Sequence, residues 1–165
     1  YLLFYLQDHL GFTSEQAQQN QTVLIALYAF GTMITAVIGG AVSDRSGKRK
    51  KFVVVSTVVI AFAASILAFA AQFSLAVVAA LILGLGYGWY LAVDQALITQ
   101  VLPAAVDRAR DLGVINIANS LPQVLAPVLA APIVTSLGGY PVLYLVTGVI
   151  ALFGAAAVLP IKSVP

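Results

Sequence analysis

Long apolar runs separated by a few short polar breaks make up nearly the whole chain. Residues 16–43 carry no charge, nor do residues 52–93 or 112–161. A helix crosses the ~30 Å hydrocarbon layer with about 20 residues, so each of the last two runs is long enough for two crossings. The pattern predicts a partial helix over about 1–10 and five complete spans over about 22–43, 52–71, 75–102, 112–137 and 142–161. Between them lie the polar connection "DHLGFTSEQAQQNQ" (8–21), the charged stretch 44–51, the turn "QFS" (72–74), the loop opened by Pro103 and continued by "AAVDRARD", and the helix breaker "GGYP" (138–141). The expected fold is all-α and polytopic in a membrane.

Composition excludes the soluble alternative. Sixty-one percent of residues are hydrophobic and 8% charged, against roughly a quarter charged in a soluble domain. The apolar stretches recur to the last residues, which a cleaved targeting segment does not explain. The chain opens on Tyr1, half a span before the first charge, so the first helix is expected to begin upstream and the 165 residues to be a fragment of one transmembrane domain. The absence of cysteine removes disulfides and Cys-based metal or redox sites from consideration.

The net charge of +2 gains meaning from where the charges fall. Lys and Arg accumulate in short cytoplasmic loops. Arg45, Lys48, Arg49, Lys50 and Lys51 follow the first complete span, Arg108 and Arg110 the third, and Lys162 the fifth. Five alternating spans place all of them on one side, and the connections 8–21, 72–74 and 138–141 contain no Lys or Arg. The basic loops 44–51 and 103–111 and the C-terminus are therefore expected to be cytoplasmic. A nucleic-acid partner is not expected.

Anchoring alone does not require the order Gly40-Ala41-Val42-Ser43-Asp44-Arg45-Ser46-Gly47-Lys48-Arg49. It resembles the loop signature G-x-x-x-D-R/K-x-G-R/K-R/K of the major facilitator superfamily, which joins the second and third helices of each six-helix half. Val42-Ser43 stands where that pattern usually has Leu-Ala. Gly40 allows close approach of another helix, Gly47 a tight turn, and Asp44 can accept hydrogen bonds from an arginine or a helix N-terminus. The resemblance implies that Asp44 latches the cytoplasmic side of the outward-facing state, with Arg45, Lys48 and Arg49 shaping the loop.

Asp94 is the one carboxylate well inside a span, eight residues before Leu102 and roughly 12 Å from that end. An aspartate there costs about 2.5 to 3.5 kcal/mol on insertion scales, so it must face a cavity or a partner. It is a candidate proton carrier, an acceptor for substrate hydroxyls, or a structural brace to another helix. Tyr90 and Tyr87 share its face one and two turns earlier, whereas Gln95 points about 100° away. Trp89 suits lipid, packing or the cavity, and the Gly84/Gly88 pair is expected to be a packing surface.

The fourth span presents Asn116, Asn119 and Gln123 on one stripe, near Ser120. Amides there either bind a polyhydroxylated ligand or tie helices together. Pro122, Pro127 and Pro132 weaken the same helix.

"GYGWYLAVDQALITQVLP" and "RARDLGVINIANSLPQVLAP" look like the carboxy-terminal half (helices seven to twelve) of bacterial facilitators related to the sucrose and glycoside symporters. That resemblance implies proton-coupled uptake of a sugar or glycoside across the cytoplasmic membrane, with Asp94, Tyr90, Tyr87, Asn116, Asn119 and Gln123 lining the pathway. It also implies the amino-terminal six-helix half of the same protein as partner, the bilayer as surroundings, and a proton gradient rather than a cofactor as driving force. A proton-driven drug or metabolite exporter of the same fold and a non-transporting scaffold are the alternatives. No enzyme or metal site is expected, because His9 lies alone in an outer connection with no nucleophile or base beside it.

Overall fold

The computed structural model describes residues 1–46, 49–101 and 108–158, with side chains throughout those ranges except at residues 44, 95–101 and 108–112. Every element among them is helical. α1 is a short turn, Leu2–Phe4, running on into a π-helical turn at Tyr5–His9. It is followed by α2 (Ser14–Ser46), α3 (Arg49–Phe69), α4 (Phe73–Val101), α5 (Arg108–Ser136) and α6 (Gly139–Val158). Five of these are long and apolar enough to cross a membrane.

α2 departs from the hydropathy pattern by starting at Ser14 rather than Thr22. The reason is a capping box. Thr13 Oγ1 accepts the Gln16 amide at 3.4 Å while Gln16 Oε1 accepts the Thr13 amide at 3.2 Å, so two amides that a helix start leaves open are satisfied reciprocally. Gly11, at φ +73°, turns the chain into this start. The 33 residues of α2 extend roughly 50 Å at 1.5 Å per residue, so its polar first turns stand beyond the ~30 Å hydrocarbon layer. The connection expected at 72–74 falls two residues earlier, at 70–72. Gln72 is the cap, its carbonyl accepting the Leu75 amide at 3.1 Å, and Phe73 already begins α4.

Contacts order the helices α2–α4–α3–α6–α5, each packed mainly on the next. The α2–α4 seam is the closest. An added Cβ on Gly31 of α2 would lie 3.1 Å from the Leu81 carbonyl oxygen and from the Leu85 nitrogen. Added on Gly84 or Gly88 of α4 it would collide with the carbonyl oxygen of Tyr28 or Thr32, respectively. Missing side chains are what let the two backbones meet. Thr32 completes the seam by sharing its hydroxyl between the Tyr28 carbonyl at 2.8 Å and the Gly84 carbonyl at 3.3 Å. Gly86 turns the other way, where a Cβ would lie 3.0 Å from Val59 Cγ1 of α3.

The main apolar cluster, built on Tyr5, Leu6, Ala17, Leu24, Leu67 and Ala76, lies at the end away from the charged stretch 44–51. α1 is fixed there. The Tyr5 hydroxyl donates to the Leu67 and Ala70 carbonyls at 3.0 and 3.3 Å, and the Tyr140 hydroxyl to Asp8 Oδ2 at 2.7 Å. His9 stacks on Tyr5 at 5.2 Å. α5 is different, for Ala130 is the only buried side chain among those described on it, and Val128 is 67% exposed.

Candidate functional site

Asp94 is half-buried on α4. The Tyr90 hydroxyl, one turn earlier, donates a hydrogen bond to its carboxylate. The Tyr90 ring stacks on Tyr87 with centroids 6.3 Å apart and planes 25° apart. Tyr87 in turn meets Tyr28 of α2 at 5.7 Å and 33°. Helical spacing puts Tyr87, Tyr90 and Asp94 on one face of α4, and the seam aligns Tyr28 with them, so two helices build one file that ends on the acid.

Charge balance gives this file its chemistry. Apart from Arg49, Lys50 and Lys51 at the start of α3, the five candidate spans contain no basic residue. A carboxylate accepts only, whereas a protonated carboxyl can also donate. Asp94 with Tyr90 therefore offers different hydrogen-bonding capacity to a ligand before and after taking up a proton. Among the described residues no three His, Cys, Asp or Glu side chains come together to hold a metal ion.

Beside the file lies a cavity of about 320 Å³. Tyr28 belongs to its wall, with Tyr1, Ile25, Ala76, Ala80, Leu83 and Tyr144, and the walls are almost wholly apolar.

Tyr28 is the member that the sequence reading missed. In "LIALYAFGTMIT" it is the only hydroxyl-bearing aromatic, and Thr32 and Thr35 follow it at i+4 and i+7, which is a polar stripe on one face of an apolar helix.

The amides of α5 stand elsewhere. Asn116, Asn119 and Gln123 are all exposed. α5 packs on α6 rather than on α4 among the described residues. The Tyr1 hydroxyl reaches it, donating to the Pro127 carbonyl at 2.8 Å. The stripe thus faces outward from the described bundle and does not join Asp94 within it.

Of the loop residues, Arg45 is exposed in the last turn of α2 and Arg49 is half-buried at the start of α3. Gly47, Lys48 and the Asp44 side chain lie outside the described residues, as do the side chains of Gln95, Leu97 and Ile98. Gly40 has no helix packed against it among the described residues. A Cβ there would meet nothing within 4 Å, whereas one on the preceding Gly39 would lie 3.3 Å from the Trp89 ring. Among the described helices it is Gly39 that continues the seam face of Gly31 and Thr35. Trp89 is a packing residue, stacked on Phe52 of α3 at 5.6 Å and 18°.

A comparison with protein families gives a match over residues 1–165 to the profile described as Major Facilitator Superfamily. No curated protein and no solved structure gives a match.

Proposed function

The chain belongs to the major facilitator superfamily, and from that premise we propose that this membrane transporter moves a small polar solute by alternating access, coupled to a proton carried at Asp94. The observation that carries the reading is the half-buried Asp94 bonded to Tyr90, on an apolar helix with no basic residue along its span. An acid so placed marks a pathway or a relay by the cost of burying it. Uptake of a sugar or glycoside is the solute class that fits best, since phenol and carboxyl groups bond hydroxyls.

In this fold two six-helix bundles rock about a central site, each supplying part of the wall. The outward-facing amides Asn116, Asn119 and Gln123 are the contribution of α5 to the surface that meets the second bundle. The basic loops face the cytoplasm, and Asp44 with Arg45, Lys48 and Arg49 closes that side when the site opens outward.

The test is the pH outside lightly buffered, de-energised cells expressing the full-length protein as sugars and glycosides are added. Alkalinisation with one of them, lost in Asp94→Asn, is the expected result. No response to any sugar would transfer the reading to proton-driven export of apolar solutes, and a response unchanged in Asp94→Asn would remove the acid from coupling.

A further inference from the structure

Four serines and threonines are buried among the described residues, and three of them are satisfied within their own helix. Thr35 donates to the Gly31 carbonyl at 2.9 Å, and Ser56 and Thr57 donate to the Val53 carbonyl at 2.9 and 2.7 Å. Ser43 differs. Its Oγ is enclosed and has no hydrogen-bond partner among the described residues, although the Gly39 carbonyl one turn back is the acceptor that its own helix offers. Trp89 Nε1 is a second buried polar atom without a partner among them. Leaving both unpaired would forfeit their hydration with nothing in return, which native interiors avoid.

The two atoms belong to one wedge at the cytoplasmic end of the α2–α4 seam. A Cβ on Gly39 would stand 3.3 Å from Trp89 Cδ1, the ring atom bonded to Nε1. Ser43 follows Gly39 on the same face of α2, one turn or roughly 6 Å further on. Phe52 closes the wedge from α3 by stacking on the Trp89 ring.

We propose that Ser43 and Trp89 bind one buried water molecule that joins α2 to α4. Its oxygen accepts the indole N–H and the Ser43 hydroxyl, and its own hydrogens go to main-chain carbonyls of the wedge, that of Gly39 among them. A bridging water joins atoms up to about 6 Å apart, two hydrogen-bond lengths, which matches one helical turn. Burial selects water over anything larger, because Ser43 is 0% exposed within the described bundle and neither the solute nor a second bundle reaches it. The alanine that the loop pattern usually has at this place could not form the site. The water also fixes the turn of α2 that carries Asp44, the next residue. A seam closed dry by Gly31, Gly84 and Gly88 thus ends wet beside the charged stretch, whatever the role of Asp94.

The experiment is a double-mutant cycle on the detergent-purified full-length protein, read as unfolding midpoints of the wild type, Ser43→Ala, Trp89→Phe and the double variant. Alanine also gains helix propensity, and comparing the two backgrounds removes that gain. The expected result is that Ser43→Ala is less favourable in the wild type than in Trp89→Phe, by about 2 °C or more. Equal shifts in both backgrounds overturn the proposal. A second measurement serves if Trp89→Phe does not fold. With tryptophan isotope-labelled at the indole nitrogen, the Trp89 N–H is assigned through the shift that Phe52→Leu imposes on the stacked ring. That proton is expected to show cross-relaxation with a long-lived water in the wild type and to lose it in Ser43→Ala. Absence of the signal in the wild type, or its persistence in Ser43→Ala, overturns the proposal.

Discussion

The Tyr140 hydroxyl at the start of α6 donates a 2.7 Å hydrogen bond to Asp8 Oδ2, joining residues 132 positions apart. Beside it the Tyr5 ring meets Tyr140 and Tyr144 edge-on at 5.8 and 5.2 Å. First and last described helices are thereby tied at one end of the bundle. Tyr140→Phe keeps the ring contact and removes the bond, and is expected to lower stability by about 1 to 2 kcal/mol. Thermal unfolding of the detergent-purified protein measures it, and an unchanged midpoint would show the bond to be replaced by water.

Glycines on different faces predict opposite outcomes. Gly84→Ala places a methyl group on the Tyr28 carbonyl and must part the α2–α4 seam, at a cost of about 1 to 3 kcal/mol. Gly154→Ala on α6 meets nothing within 4 Å among the described residues and gains helix propensity, so its effect is expected to be neutral or slightly stabilising. The two midpoints, compared in the same detergent, test the seam directly.

Removal of the Tyr90 hydroxyl isolates the donor to Asp94. Tyr90→Phe keeps the stack on Tyr87 and is expected to slow proton-coupled uptake by roughly tenfold, the scale of one lost hydrogen bond to a charged group. Counterflow of labelled solute, which needs no net proton movement, should fall less. Equal loss in both assays would make Tyr90 a binding residue alone.

Asn119→Leu acts on a side chain exposed on α5. Stability is expected to stay within about 0.5 kcal/mol, while transport is lost if the stripe meets solute or the second bundle. A variant that unfolds and transports nothing would show the amide to be interhelical glue.

How much of this was legible beforehand depends on which physical signal each feature leaves. Apolar length marks the spans clearly, because burial in hydrocarbon demands it over whole helices. The start of α2 is hidden, since "SEQAQQNQ" is polar and a polar run suits a loop and a helix in water equally. Thr13 and Gln16 did carry the capping-box spacing that decides between them. Tyr87, Tyr90 and Asp94 follow from helical periodicity within one helix. Tyr28 does not, because pairing α2 with α4 rather than with its neighbour α3 is set by tertiary packing of Gly31 against Gly84. The outward direction of the α5 amides is equally a matter of which helices meet, and periodicity says only that they share a face.

The α2–α4 seam also bears on biogenesis. The chain emerges in order, so α2 enters the bilayer before its partner exists and must wait while α3 is threaded. During that interval its glycine and threonine face meets lipid, where an unsatisfied hydroxyl is costly. Thr32 and Thr35 have an answer within their own helix, bonding the Tyr28 and Gly31 carbonyls at 2.8 and 2.9 Å. Both threonines of a newly inserted α2 are thus satisfied in lipid, and the later arrival of α4 adds the Gly84 carbonyl to Thr32 without requiring any bond to be broken first.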